Sequence, residues 1–126
     1  MRVYVDGSPT KICYAFEKEK DIIASRVFEL GEKVTSNQAE YLAAIKAVVD
    51  IPRMTELCSD SELMVKQLNF EYEVKHPILV GLAYAFQARA NKGLKVTWIP
   101  REENHAGKIL EASKATSILT RPFKLE

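Results

Sequence analysis

The chain has 126 residues, 47% of them hydrophobic and 28% charged, with a formal net charge of +1. That balance suits a single compact domain over residues 1–126 and excludes a disordered chain or a globally basic one, although a local basic stripe stays open. No apolar run approaches the roughly 20 residues that a helix needs to cross a bilayer.

Residues 2–6 read as a first short strand. Residues 11–17 read as a second, with Ile12, Tyr14 and Phe16 on one face and Cys13 and Ala15 on the other. Residues 21–30 make a third, with Ile23, Val27 and Phe28 as its apolar content. The charged stretch Glu17-Lys18-Glu19-Lys20-Asp21 between them predicts a hairpin turn, without an Asn-Gly pair to set its type. Three strands joined this closely are most simply an antiparallel meander. A helix follows, with Thr35 or Ser36 as N-cap, Leu42, Ile45, Val48 and Val49 as its stripe, and Pro52 as its stop. Residues 54–59 predict a fourth strand, and Asp60 or Ser61 caps a helix carrying Leu63, Met64, Val65 and Leu68. Residues 77–91 predict a further helix, Pro77 at its start and Ile78, Leu82, Ala85 and Phe86 inward, ended by Lys92-Gly93. Val96, Trp98 and Ile99 form a fifth strand before Pro100, with Trp98 core-facing or half-buried, and residues from about 105 to 118 look helical. The order β-β-β-α-β-α-α-β-α predicts an α/β fold with a mixed sheet, helices on its faces and helix-linked strands parallel.

Three acids stand at element ends. Asp6 closes Val3-Tyr4-Val5-Asp6-Gly7, Glu40 lies early in the first helix, and Asp60 follows Leu57-Cys58-Ser59. A fold that joins two strand ends to one helix would bring their carboxylates together. Hard divalent cations such as Mg²⁺ take oxygen ligands of this kind, and two of them can drive phosphodiester cleavage. Cys13 and Cys58 show no metal spacing and read as small buried hydrophobes of a reducing compartment. Met1 nearly abuts the first strand, so no secretion signal is expected and a cytoplasmic location is.

Five segments in order carry a family resemblance: Tyr4-Val5-Asp6-Gly7, Asn37-Gln38-Ala39-Glu40, Ser59-Asp60-Ser61, Gln67 to Lys75, and Val96-Thr97-Trp98-Ile99-Pro100-Arg101-Glu102-Glu103-Asn104. From about residue 2 to residue 115 the chain resembles a type 1 ribonuclease H domain of the ribonuclease H-like group. The resemblance implies a five-stranded sheet, three strands antiparallel and then two parallel, flanked by helices. It implies hydrolysis of the RNA strand of an RNA–DNA hybrid with Mg²⁺ or Mn²⁺ as cofactor. Asp6 would bridge two metals, Glu40 would serve the leaving-oxygen side and Asp60 the attacking-water side. Asn37 and Gln38 would reach the minor groove, where 2′-hydroxyls mark RNA. Thr35 and Ser61 are candidates for phosphate contact, and capping accounts for them equally.

The chain departs from the family pattern at one ligand. Four residues after Asn104, where the resemblance implies an aspartate, stands Lys108; Leu110 matches the leucine that follows. Glu103, Glu111 and His105 are nearby groups that could substitute, and His105 could also shuttle protons near neutral pH as a catalytic group. Arg101 is a further phosphate candidate, His76 reads as a helix-entry residue, and Lys66, Lys75, Arg89, Lys92 and Lys95 are either a basic path or scattered surface lysines and arginines. The basic protrusion that grips the hybrid in some members is not evident between residues 68 and 77. Two functions follow: a metal-dependent ribonuclease H with a rearranged site, or a nucleic-acid-binding module of the same fold that has lost efficient cleavage. A nuclease acting on another structured substrate is the related enzymatic alternative.

Overall fold

The computed structural model describes residues 1–113 and the backbone of residues 120–123. Strands β1 (Arg2–Gly7), β2 (Lys11–Lys18) and β3 (Asp21–Leu30) form the antiparallel meander. Glu19 and Lys20 make its second turn, both at positive φ (53° and 71°). A two-residue turn with both residues left-handed matches the twist of the strands it joins. Strands β4 (Glu56–Ser59) and β5 (Lys95–Trp98) extend the sheet in parallel, β4 beside β1 and β5 beside β4. The mixed five-stranded sheet expected from the sequence is therefore present. The structure adds a sixth strand, β6 (Thr120–Phe123), parallel to β3, and the sheet order is β5-β4-β1-β2-β3-β6.

Helices cover both faces of the sheet, so alternate residues of the central strands enter two different cores. On one face Val3, Val5, Ile12, Tyr14 and Phe28 pack beneath α1 (Ser36–Asp50), α2 (Glu62–Leu68) and α3 (Pro77–Arg89). On the other, Tyr4, Cys13, Ala15, Val27 and Cys58 pack against Ala106 and Leu110 of α4 (His105–Ser113). Both cysteines are buried and free, as small apolar side chains in a closed core. The last five residues of the helix expected to reach residue 118 lie outside the described residues.

Most helix boundaries follow their local chemistry. The Thr35 hydroxyl accepts from the Gln38 backbone N–H, and the Gln38 side-chain carbonyl accepts from the Thr35 N–H, both at 3.1 Å. This reciprocal pair satisfies two backbone donors at the start of α1. His76 enters α3 by accepting from the Ile78 N–H through Nδ1 at 3.2 Å. Of the residues read as inward on α3, Phe86 is buried and Leu82 and Ala85 pack against the core, whereas Ile78 is 53% exposed and Leu79 is buried instead. The helix is apolar nearly all round, so periodicity leaves its phase open, and packing against α1 decides it. Trp98 ends half-exposed at the edge strand, its indole N–H donating to the Asp60 carbonyl at 3.2 Å.

Candidate active site

Asp6 lies near the end of β1, and Asp60 follows β4, its parallel neighbour. Glu40 reaches them from the first turns of α1 because Gly7 allows it. A Cβ on Gly7 would stand 2.5 Å from the backbone carbon and oxygen of Ala39. Only a residue without a side chain lets the helix approach the strand this closely. Adjacent residues on the two elements, Asp6-Gly7 and Ala39-Glu40, thus turn one backbone contact into the meeting of two carboxylates. One oxygen each of Asp6, Glu40 and Asp60 lie within 4.8 Å of one another.

Like charges at this separation, partly removed from water, oppose ionisation. The Glu40 carboxyl is pushed up to about 10, first by burial, then by the Asp6 charge, a hydrogen bond shared with Asp6, and the Asp60 charge. Burial chiefly, with the Asp60 charge, also raises Asp6, against the lowering effect of its hydrogen bond with Glu40. Without a cation, the pair therefore keeps a proton at neutral pH. Glu40 is 9% exposed, and its Oε2 is buried without a hydrogen-bond partner. An orphaned buried carboxylate oxygen costs free energy unless something meets it. A hard divalent cation fits this set of oxygens and would satisfy that atom.

Asn104 holds the site's far wall and is a residue whose role the sequence did not reveal. It is fully buried; its Nδ2 donates to the Val5 carbonyl at 2.9 Å and to Asp60 Oδ2 at 3.2 Å. Its Oδ1 accepts from the Ala106 N–H at 3.1 Å, capping α4. One amide thereby fixes β1, Asp60 and α4 relative to one another. The signal in the sequence was an asparagine directly before a helix. Gly107 follows on α4, where a Cβ would stand 3.2 Å from Asp6 Oδ2.

Beside Asp6 opens a cleft of about 640 Å³, lined by Arg101, Glu102, Gly107, Lys108, Glu111 and Ala112. Lys108 thus faces the same space as Asp6. Among the described residues, none of the proposed substitutes, Glu103, Glu111 or His105, joins the three-carboxylate cluster. The His105 ring packs edge-on against Tyr4, centroids 4.8 Å apart and planes at 80°. Thr35 and Gln38 are engaged in their cap, and Asn37 is exposed beside them. Ser61 accepts from the Met64 N–H at 3.2 Å as the cap of α2. Lys66 pairs with Glu62 at 2.9 Å and lies over the Tyr72 ring.

No family model matches the chain. In structure it is similar to LC11-RNase H1, isolated from compost by a metagenomic approach: 32% identical, TM-score 0.73, covering 90% of this chain and 96% of that one. The chain belongs to the type 1 ribonuclease H family. A second structure of LC11-RNase H1, in complex with an RNA/DNA hybrid, matches at 28% identity and TM-score 0.71, covering 85% of this chain and 91% of that one. The bifunctional protein Rv2228c of Mycobacterium tuberculosis is 35% identical over 78 residues, 57% of this chain. That match spans 21% of the length of Rv2228c. Lys108 stands where the resemblance implies a fourth acid. Among the described residues, no helix is long and apolar enough to cross a membrane.

Proposed function

We propose that the chain hydrolyses the RNA strand of RNA–DNA hybrids in the cytoplasm, using Mg²⁺ or Mn²⁺ held by Asp6, Glu40 and Asp60. The observation that carries this reading is the convergence of three carboxylates, one of which, Glu40, has a buried oxygen without a hydrogen-bond partner. A divalent cation held there would supply Lewis-acid chemistry at the scissile phosphate, activating the attacking water and stabilising the leaving oxygen, the tasks that a two-metal-type displacement divides between two ions. The protein's own part is positioning. Gly7 and Asn104 lock the carboxylates on rigid element ends, so little reorganisation is left for the reaction. Asn37 and Gln38, at the start of α1, would meet the minor groove and its 2′-hydroxyls. The Thr35 and Ser61 hydroxyls each keep a proton to donate to a phosphate while capping. His105, edge-on against Tyr4, is proposed to act by placing α4.

The test is cleavage of a strand-labelled hybrid with Mg²⁺ or Mn²⁺, beside the Asp6→Asn variant. RNA-strand cleavage that the variant loses is expected. Full activity in Asp6→Asn would overturn the assignment. The cations Lys108 and Arg101 in the cleft favour a second reading, a binding module without efficient cleavage. Salt-sensitive hybrid binding with no cleavage by either ion would select it.

A further inference from the structure

We infer that the site holds one divalent cation, not two, and that the Lys108 ammonium meets the substrate phosphate where a second cation would otherwise sit. The inference deepens the nuclease reading and rests on it for the identity of the phosphate.

Three residues offer one clustered oxygen each, and among the described residues no fourth acid joins them. Those oxygens, with the unpartnered Glu40 Oε2 among their residues, suit one hard cation that completes its shell with water. A second cation beside Asp6 would enter the cleft that Lys108 and Arg101 also line. The other acids of that cleft, Glu102 and Glu111, are exposed and stand outside the cluster. Gly107 brings the backbone of α4 close to Asp6 Oδ2 and supplies no ligand of its own. Lys108 is exposed, and its ammonium has no ion pair among the described residues. A divalent ion about 6 Å from an ammonium in water-like surroundings is weakened about tenfold, and replacing the ammonium by a carboxylate strengthens it about a hundredfold. The same ammonium attracts a phosphodiester oxygen, as a flexible point charge does well.

The experiment counts Mn²⁺ bound per chain by electron paramagnetic resonance in the wild type, Lys108→Ala and Lys108→Asp. Lys108 is exposed, so these variants keep the fold. One ion in the wild type and two in Lys108→Asp is the expected result. Two ions in the wild type, or one in both proteins, would overturn the inference. A second readout needs no metal: hybrid binding in EDTA across a salt series. Lys108→Ala should lower the slope of log affinity against log salt by about one and Lys108→Arg should restore it. An unchanged slope in Lys108→Ala would remove the phosphate contact. If the wild type fails to cleave any hybrid while both readouts hold, the nuclease reading falls and the assignment of Lys108 stands.

Discussion

The raised carboxyl of Glu40 makes the metal-free protein a proton sink, and its stability should record this. Glu40 titrates at about 10 in the fold against an ordinary 4.5. Between those values the folded state holds a proton that the unfolded chain has released. Stability is then greatest below the ordinary value and falls as pH rises toward the folded one, by about 1.4 kcal/mol per pH unit. The interval from pH 6 to 8 lies well inside the window, so the loss across it should be about 3 kcal/mol. For a chain of this size that lowers Tm by roughly 10 °C. The assay is urea or thermal denaturation in EDTA at pH 6, 7 and 8, for the wild type and Glu40→Gln. The amide has the carboxyl's shape and no proton to lose, so the variant should be nearly flat. Mn²⁺ must displace the same proton, so its affinity for the wild type should rise with pH over this interval. A wild type as flat as Glu40→Gln would refute the reasoning, because Glu40 would then be ionised beside Asp6 without penalty.

Three further substitutions test the scaffold of the site. Gly7→Ala places a methyl against the Ala39 backbone, which cannot rotate aside; a loss of about 3 kcal/mol in urea denaturation is expected, with Mn²⁺ affinity falling as Glu40 moves off. Asn104→Ala strips a donor from the buried Val5 carbonyl and removes the cap of α4. Denaturation should show about 2–4 kcal/mol less stability, and a loss under 1 kcal/mol would mean that water replaces the amide. Phe70 is left-handed (φ 61°) just past α2, with its N–H bonded to the Gln67 carbonyl and that of Glu71 to Lys66. A glycine suits that helix-ending position, and the Phe70 ring is 81% exposed, so Phe70→Gly should stabilise the protein by about 1 kcal/mol in a thermal melt.

Much of the fold was legible because its signals are local. The meander shows in Ile12, Tyr14 and Phe16 alternating with Cys13 and Ala15, and the structure places those two sets in opposite cores. The caps at Thr35, Ser61 and His76 were visible as residue types at helix starts. What escaped the sequence depends on three-dimensional phase. In the first turn of α3, Leu79 and not Ile78 faces the core, a choice that a helix apolar nearly all round leaves open in sequence. Asn104 only marked the end of a matching segment in sequence, and its worth comes from complete burial against a strand carbonyl and Asp60. The substitutes for the missing fourth acid were equally open in sequence, since Glu103, His105 and Glu111 all lie within a few residues of Lys108. The fold separates them: His105 turns onto Tyr4, and Glu111 lines the cleft beside Asp6 without joining the carboxylate cluster.

The site's chemistry depends on how few contacts create it. Asp6 and Glu40 are 34 positions apart in sequence, and their approach rests on a single missing side chain at Gly7. Asp60 joins them because β4 pairs with β1 in parallel, with Cys58 beside Tyr4, and because Asn104 holds its carboxylate from behind. Each of these arrangements forces charge together and is opposed by desolvation, so the metal-free site is a strained part of an otherwise well-packed fold. The buried oxygen of Glu40 without a partner is the local sign of that strain. A bound cation would relieve it and so become part of the stability of the protein, as any ligand that binds only the folded state must. With one cation offsetting the inner carboxylates, the Lys108 ammonium in the cleft would supply the next positive charge and meet the phosphate of a substrate.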